Sequence, residues 1–439
     1  ARRHAEKLWG SVEELKREAP QLAEPHYHEG RMLRALQRDE EAERSQDRAV
    51  ELAGRVEATT GSRAVLPLAL YERGVVRMLR YERLRAEKRA ELLGARAAGR
   101  DPGDPPPEAP TDEEVEGTYP EVGEAKRAAA GDLREAARLA PTGGEGRGSA
   151  ARGMLAVLEG HEGAEAPLRE ALGADRYMVE VYAALAGLAS ARGEYEAAAR
   201  CYEEGHEADR GYLPHLLGMA RALDSASAVA ESRGEGGADL RGRALGALDQ
   251  ALALEEACVE ARSLKATVLL REGRALLGAG RDAEAVVAYE AASRAAERAL
   301  SINPRSAAAA NSQAIVHQSL GDAKRGRGED PAAEYERALL GYDKALSINP
   351  RLTEAANNQA IVYASLGDAK RRRGEDPTAE YEKALLGLER ALYINPRYAE
   401  AAISQANIYK SLGDAKRGRG EDPTAEYGKA LLGCEKALS

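Results

Sequence analysis

Histidines and cysteines are the residues of this chain best suited to metal binding or catalysis, and their spacing favours neither. His26 and His28 are two residues apart, which places their rings on different sides of a helix, and the other histidines are scattered. Cys201, Cys258 and Cys434 are far apart and odd in number, so they predict neither a disulfide framework nor a zinc site. We therefore interpret these side chains as packing or surface residues, with Cys434 as a filler of the core.

The motifs of nucleotide and acyl chemistry are also missing. The segment GEGRGSAARG at 144–153 is rich in glycine, but it lacks the lysine of a P-loop and follows no predicted strand. An interhelical turn is the simpler interpretation. No kinase signature occurs, and no Ser, His and Asp arrangement is indicated. The sequence predicts no enzyme, no cofactor and no metal.

The charge and hydropathy of the chain argue against two classes of protein, those that bind nucleic acid and those that span a membrane. The 63 Lys and Arg against 73 Asp and Glu give a formal net charge of −10, which argues against general affinity for nucleic acid. No apolar run of about 18 residues is present, so no membrane span is predicted. The free cysteines and the lack of a visible signal favour a cytoplasmic location, whereas a processed N-terminus would permit an extracellular one.

A tandem repeat organises the last third of the chain. Residues 348–393 match residues 302–347 at 33 of 46 positions, and residues 394–439 match residues 348–393 at 34. Such identity means that one packing solution is used three times. The spacing predicts two helices in each unit, the first over about 307–325. The second begins near Asp330 and Pro331 and ends before the Asn349-Pro350 pair.

Small residues recur where the two helices of each unit should cross. They are alanines: Ala314, Ala338 and Ala345 in the first unit, Ala360, Ala384 and Ala391 in the second, and Ala406, Ala430 and Ala437 in the third. Tyr363 and Tyr409 follow at an aromatic position, and Pro304, Pro350 and Pro396 separate the units. In these features the chain resembles the tetratricopeptide repeat family. The resemblance implies an all-α, right-handed superhelical solenoid of antiparallel helix hairpins.

The repeat departs from that family in length. The usual unit has 34 residues, whereas these have 46, and the extra residues fall around AKRGRGEDP. Both helices should therefore extend one or two turns further on this side. We expect a half-repeat helix at 1–19, divergent units over 20–300 and three near-identical units over 301–439. A proline-rich acidic stretch at about 97–120 predicts an extended or mobile loop.

Two ladders of residues are candidate binding surfaces. In the family, the inner face of the first helices lines a groove for peptides; the matching residues are Asn311, Ile315, Gln318, Asn357, Ile361, Ile403, Asn407 and Lys410. Asparagine amides can bind a peptide backbone, but asparagine is also common at this position in the plain repeat consensus, which favours a scaffold role. The basic set with which some members clamp a C-terminal carboxylate is not matched.

The second ladder is a charged edge where the two helices of each unit meet. Its residues are Lys324, Arg325, Arg327, Lys370, Arg371, Arg373, Lys416, Arg417 and Arg419, and an acidic pair follows each cluster. Compensation of helix-end charge is one interpretation. A strip that docks an acidic partner or a second copy of the chain is the other.

These features predict a non-catalytic scaffold that holds other proteins or copies of itself. Near-identical units, with the sequence beginning and ending inside the pattern, suit end-to-end assembly into a filament. The RGEDP and ALLG segments are also similar to repeat tails of bacterial serine/threonine kinases. That resemblance implies an alternative, an adaptor or sensor region of a larger signalling protein that binds peptides in its groove.

Overall fold

The computed structural model describes residues 2–35, 38–60, 65–98, 110–140, 146–161, 163–394 and 399–438. This described part contains twenty helices and no strand. It divides into two compact units. Unit 1 comprises residues 1–90 and 110–254, and unit 2 comprises residues 91–109 and 255–439.

Helices α1 to α12 begin in unit 1. They are α1 Arg2–Glu18, α2 Ala23–Ala35, α3 Asp39–Thr60, α4 Leu66–Ala98, α5 Asp112–Thr118, α6 Pro120–Leu139, α7 Arg147–Glu159, α8 Glu165–Ala174, α9 Val179–Ala191, α10 Tyr195–Ala208, α11 Leu213–Ser232 and α12 Ala238–Leu254.

Helices α13 to α20 belong to unit 2. They are α13 Val259–Gly278, α14 Asp282–Ile302, α15 Ala307–Gly326, α16 Ala332–Ile348, α17 Thr353–Arg372, α18 Thr378–Ile394, α19 Ala399–Gly418 and α20 Thr424–Leu438. Short connections fold them into the hairpins α13/α14, α15/α16, α17/α18 and α19/α20, each made of two antiparallel helices in contact.

Local sequence signals set the ends of each hairpin helix. The Ser306 hydroxyl accepts a hydrogen bond from the Ala309 amide at 3.2 Å and so caps α15. Gly328 adopts a φ of 76°, a left-handed conformation that reverses the chain after α15. The Asp330 carboxylate accepts a hydrogen bond from the Ala332 amide at 3.0 Å, and α16 begins there. Asp376 and Asp422 accept the equivalent hydrogen bonds from the Thr378 and Thr424 amides in the next two units.

The lengthened unit has lengthened helices, as the sequence predicts. Helices α9 and α10, in the unit closest to the usual length, have 13 and 14 residues. Helices α15 and α16 have 20 and 17. Most of the extra residues of the 46-residue unit thus extend the hairpin rather than its loop.

Small side chains bring the helices of a hairpin together. Ala314, Ala338 and Ala345 are completely buried. A Cβ added to Gly341 would lie only 2.8 Å from the Cβ of Ala314, so α15 and α16 cross at this point with no room to spare. Tyr335 and Tyr342 fill the wider spaces beside the crossing and are also fully buried. The small positions predicted in α15 to α18 are therefore buried, with Ala314 and Ala360 at the helix crossings, and the hairpins are tetratricopeptide-like. In the last repeat Ala430 is half-buried, and the side chain of Ala437 lies outside the described residues.

The prediction of an extended loop at about 97–120 is wrong for the residues that the structure describes. Helix α4 continues to Ala98, Asp112–Thr118 form α5, and α6 begins at Pro120. A capping box explains α5, because the Thr111 hydroxyl accepts from the Glu114 amide while the Glu114 carboxylate accepts from the Thr111 amide. Residues 99–109 lie outside the described residues.

Candidate interaction surfaces

The predicted charged edge is neutralised within its own hairpins. The three lysines each donate to a glutamate in the first turn of the second helix, at 2.7 to 3.0 Å: Lys324 to Glu334, Lys370 to Glu380 and Lys416 to Glu426. Burial alone would raise the pKa of Glu334, but the Lys324 hydrogen bond holds the pKa of that carboxyl below its usual value.

The six arginines of the edge also have acidic neighbours in their own hairpins. Three pair with a turn glutamate at 2.6 to 2.7 Å: Arg327 with Glu329, Arg373 with Glu375 and Arg419 with Glu421. The other three lie 3.0 to 3.8 Å from an aspartate one helical turn earlier: Arg325 from Asp322, Arg371 from Asp368 and Arg417 from Asp414. The basic side chains of the charged edge thus pair with acidic side chains of their own hairpins. That this edge docks a partner stays a prediction.

A tyrosine beneath this edge, which was not predicted from the sequence, links the two helices of each hairpin. We call this contact the tyrosine lock. Tyr335 donates from its hydroxyl to the Asp322 carboxylate at 2.8 Å, and its ring packs against Gly321 so closely that an added Cβ would lie 2.6 Å from Cε1. Burial, together with the charge of Asp322, raises the pKa of Tyr335 well above its usual value.

The other two repeats contain the same lock. Tyr381 donates to Asp368 over Gly367, and Tyr427 donates to Asp414 over Gly413. The recurrence of LGD and AEY in every repeat was the available signal.

The predicted groove residues fall into two environments. Asn311, Ile315 and Asn357 are buried, with Asn311 only 7% exposed, so they do not line an open groove. The physical reason is that successive first helices contact each other, α15 with α17 and α17 with α19. Gln318 and Ile361 are half-buried, and the Gln318 amide oxygen accepts a hydrogen bond from the Tyr342 hydroxyl at 2.5 Å.

Only α19 presents its predicted groove residues to solvent. Ile403 is 50% exposed, and Asn407 and Lys410 are also exposed. Peptide capture therefore stays a prediction, and it concerns these three side chains.

The second helices carry an apolar feature that the sequence interpretation did not single out. The second leucine of each ALLG segment points outward: Leu340 is 70% exposed, Leu386 is 69% exposed and Leu432 is 58% exposed. One exposed leucine is ordinary, but here three occupy the same position in α16, α18 and α20. We call Leu340, Leu386 and Leu432 the leucine ladder.

A buried ionic cluster joins three helices of unit 1. Arg34 of α2 lies 2.9 Å from Glu72 of α4 and 3.3 Å from Glu180 of α9, and the Tyr71 hydroxyl donates to Glu180 at 2.9 Å. Burial alone would raise the pKa of Glu180, but the charge of Arg34 and the Tyr71 hydrogen bond keep it below its usual value. Because every member has an internal partner, we interpret the cluster as a link between hairpins.

Among the residues first considered for chemistry, His215 and His317 have hydrogen-bond partners, the Val179 carbonyl and the Glu334 carboxylate. Within the described ranges, no three His, Cys, Asp or Glu side chains are grouped in a way that could hold a metal ion. In the same ranges, no helix is both long and apolar enough to cross a membrane. The Cys258 thiol caps α13 by accepting from the Ala261 amide at 3.4 Å. The side chain of Cys434 and the first two residues of the 144–153 segment lie outside the described residues.

Comparison with known proteins finds similar solved structures but no matching sequence family. No protein-family model matches the chain, and no curated protein matches it. A MamA protein is similar over 48% of this chain and 92% of its own, with 20% identity and a TM-score of 0.32. TTC0263, a TPR protein of Thermus thermophilus, covers 52% of this chain and 98% of its own, with 18% identity and a TM-score of 0.39.

A tetratricopeptide repeat protein from Parabacteroides merdae covers 64% of this chain and 92% of its own, with 17% identity and a TM-score of 0.39. The fold class stated above rests on the hairpins of this chain itself.

Proposed function

We propose that this chain is a non-catalytic scaffold that holds other proteins, or copies of itself, on a repeating helical surface. One observation carries the proposal. In the three near-identical hairpins the charged edge and the tyrosine locks are satisfied internally, whereas the leucine ladder is left facing solvent. Large apolar side chains that recur on one outer face are typical of a protein contact.

Photocrosslinking in the native cells tests this function. A photoreactive phenylalanine analogue is placed at Leu340 or at Leu386 and, as a matched control, at Val287, an exposed apolar residue of α14 outside the ladder. We expect protein adducts at the two ladder positions and few at Val287. Equal, background-level adducts at all three positions would overturn the scaffold proposal.

End-to-end self-assembly is a finer form of the same proposal. Its support is that like hairpins already stack on like hairpins through α15, α17 and α19, so this type of contact is available between copies. Negative-stain electron microscopy of concentrated protein should then show filaments. A field of monomers only would refute filament formation.

The second candidate function is an adaptor region of a larger bacterial signalling protein such as a serine/threonine kinase. The RGEDP and ALLG segments favour it, because they resemble repeat tails of such kinases. In that case Ile403, Asn407 and Lys410 of α19 would contact a partner peptide. Reading the open reading frame around this segment tests the idea, since a frame without kinase motifs would remove it.

A further inference from the structure

We propose that the leucine ladder is the interface through which two copies of this chain pair face to face, with their second helices antiparallel. The inference rests on the proposed scaffold function and names its partner. Two features carry it: the exposed leucines, and the order of the charges that flank Leu340 in α16 and Leu386 in α18.

The charges around Leu340 and Leu386 follow one order, whereas Gly428 takes the place of the first acidic residue before Leu432. In α18, Glu382 and Lys383 precede Leu386 by four and three residues, and Glu389 and Arg390 follow it by three and four. All four side chains are exposed, and helical spacing places them on the face of Leu386. Reading along the helix, the pattern is minus, plus, leucine, minus, plus.

Helix α16 repeats the pattern with other residues. Glu336 and Arg337 precede Leu340, and Asp343 and Lys344 follow it; all are exposed. The residue types differ between the two units, since Arg337 corresponds to Lys383 and Asp343 to Glu389, but the sign at each place is the same. The arrangement of charge is thus common to both helices even where the side chains differ.

This order makes the face complementary to itself in one orientation only. When two such helices run antiparallel, the residue four before the leucine faces the residue four after it, so Glu382 meets Arg390 of the other copy. Lys383 then meets Glu389, and each contact occurs twice because of the two-fold axis. When the helices run parallel, each residue faces its own equivalent, and every contact joins like charges.

The three ladder positions fit one two-fold axis. If the axis runs along the leucine ladder, across the helices, each helix pairs with its own counterpart: α18 with α18 and α16 with α16 of the second copy. Asp343 of α16 then meets Arg337 of the second copy, again with opposite charge, and Leu340 meets Leu340. Tyr393, which is 61% exposed and two turns after Leu386, extends the apolar contact at the end of α18.

Some of these charged side chains are already held in place. The Asp343 carboxylate accepts from the Gln359 amide at 2.7 Å, and the Arg390 guanidinium donates to the Pro350 carbonyl at 3.2 Å. The ammonium group of Lys383 lies 5.5 Å from the centre of the Tyr363 ring. Holding these groups in the monomer lowers the entropy lost when they pair.

Sedimentation of the full chain up to millimolar concentration tests the pairing. The unmodified chain should form a dimer, and Leu386→Ser should raise its dissociation constant roughly tenfold or more, whereas the control Val287→Ser should not. Glu382→Arg should weaken the dimer because it places a second guanidinium against Arg390. Adding Arg390→Glu should restore the dimer, because an arginine at position 382 then faces a glutamate at position 390 of the other copy.

Thermal unfolding of each variant separates pairing from folding, since all the changed residues are exposed. A chain that stays monomeric at every concentration would overturn self-pairing. So would a double variant that associates no better than Glu382→Arg alone.

Crosslinked peptides distinguish failure of this inference from failure of the scaffold function. With the photoreactive analogue at Leu340, antiparallel pairing predicts intermolecular adducts on α16 of the other copy, whereas parallel pairing about α18 predicts adducts on α20. Adducts of Leu340 and Leu386 only with a different protein would overturn self-pairing and keep the scaffold function. Adducts with no protein at all would overturn both.

Discussion

At the scale of single residues, the unusual aromatic composition has a physical basis. The chain has 18 tyrosines and no phenylalanine. Six tyrosine hydroxyls in the described structure donate to a carboxylate or amide oxygen; they belong to Tyr71, Tyr81, Tyr335, Tyr342, Tyr381 and Tyr427. Phenylalanine could fill the same space but would leave these acceptors without their donors.

Removing one of these hydroxyls should cost stability without changing the fold. Tyr381→Phe deletes the hydrogen bond to Asp368, whose carboxylate is half-exposed and can be hydrated instead, so we expect a loss of about 1 kcal/mol in the free energy of unfolding. Tyr393→Phe is the matched control, because that ring is largely exposed. Denaturant titration measures both, and an equal loss in the two variants would contradict the lock.

A second residue-scale prediction concerns Gly205 of α10. A Cβ at this position would lie 2.4 Å from Cε1 of the buried His215 and 2.9 Å from the Cβ of Tyr182, so Gly205→Ala should destabilise unit 1 by about 1–3 kcal/mol. Gly187→Ala in the neighbouring α9 meets open space and should be neutral or stabilise by about 0.5–1 kcal/mol. Thermal melting of both variants decides whether the contact is as tight as described.

His215 also predicts a pH dependence. Burial lowers its pKa, although the hydrogen bond from Nε2 to the Val179 carbonyl partly opposes the shift. The unfolded chain therefore binds the proton more readily than the folded one. The stability contributed by neutral His215 is present above the unfolded pKa of about 6.5 and is lost as the pH falls below it.

The unfolding free energy of the unmodified chain should thus decrease between about pH 7 and pH 5, in part through His215. His215→Gln should be less stable at neutral pH but should lose less on acidification. If the two proteins have parallel pH profiles, His215 is not the titrating group.

At the scale of elements, oppositely charged faces join α3, α4 and α6. Arg73 of α4 lies 2.6 Å from Asp132 of α6 and 3.1 Å from Asp47 of α3, and Arg77 pairs with the same two aspartates at 2.9 Å. Asp132 is buried, and these arginines compensate its carboxylate. The packing of three helices is thus coupled through one carboxylate.

Neutralising that carboxylate should loosen the three helices together. Asp132→Asn keeps the shape but removes the charge that compensates two arginines, so we expect a loss of about 1–3 kcal/mol. Glu135→Gln on the same helix disturbs an exposed pair with Arg138 and should change stability by less than about 0.5 kcal/mol. Hydrogen exchange should show faster exchange in α3, α4 and α6 of the first variant alone. Uniform exchange in both would contradict the coupling.

At the scale of the whole molecule, stability is built from neighbouring hairpins. The core of unit 2 is continuous from Leu270 to Ala415, and its members all lie in α13 to α19. In repeat arrays each unit contacts mainly its neighbours, so a block with its own core can fold alone. Such a chain can lengthen by duplication of one hairpin, which explains the near-identity of the last three units.

A fragment of residues 255–439 should therefore fold by itself. We expect a helical circular dichroism spectrum, a cooperative thermal transition and the same loss from Tyr381→Phe in the fragment as in the full chain. A fragment that is unfolded at room temperature would show that unit 2 depends on the rest of the chain.

Local signals in the sequence were enough to predict the hairpins. Helical periodicity, the Asp-Pro caps and the recurring small residues indicated the all-α class, the crossing alanines and the lengthened helices. Where a local signal was overlooked, as with the capping box at Thr111 and Glu114, the prediction failed. Residues 112–118 are helical although the proline-rich stretch suggested a loop.

Which side chains face a partner depends on tertiary packing and could not be predicted from local signals. Asn311 and Lys324 look equally available in sequence, but one is buried between first helices and the other donates to Glu334 ten residues away. Helical spacing places Leu339 rather than Leu340 on the apolar face, but only the packed hairpins show that solvent reaches Leu340. Periodicity fixes the face of a helix on which a residue lies, whereas burial depends on neighbouring helices that pack against that face.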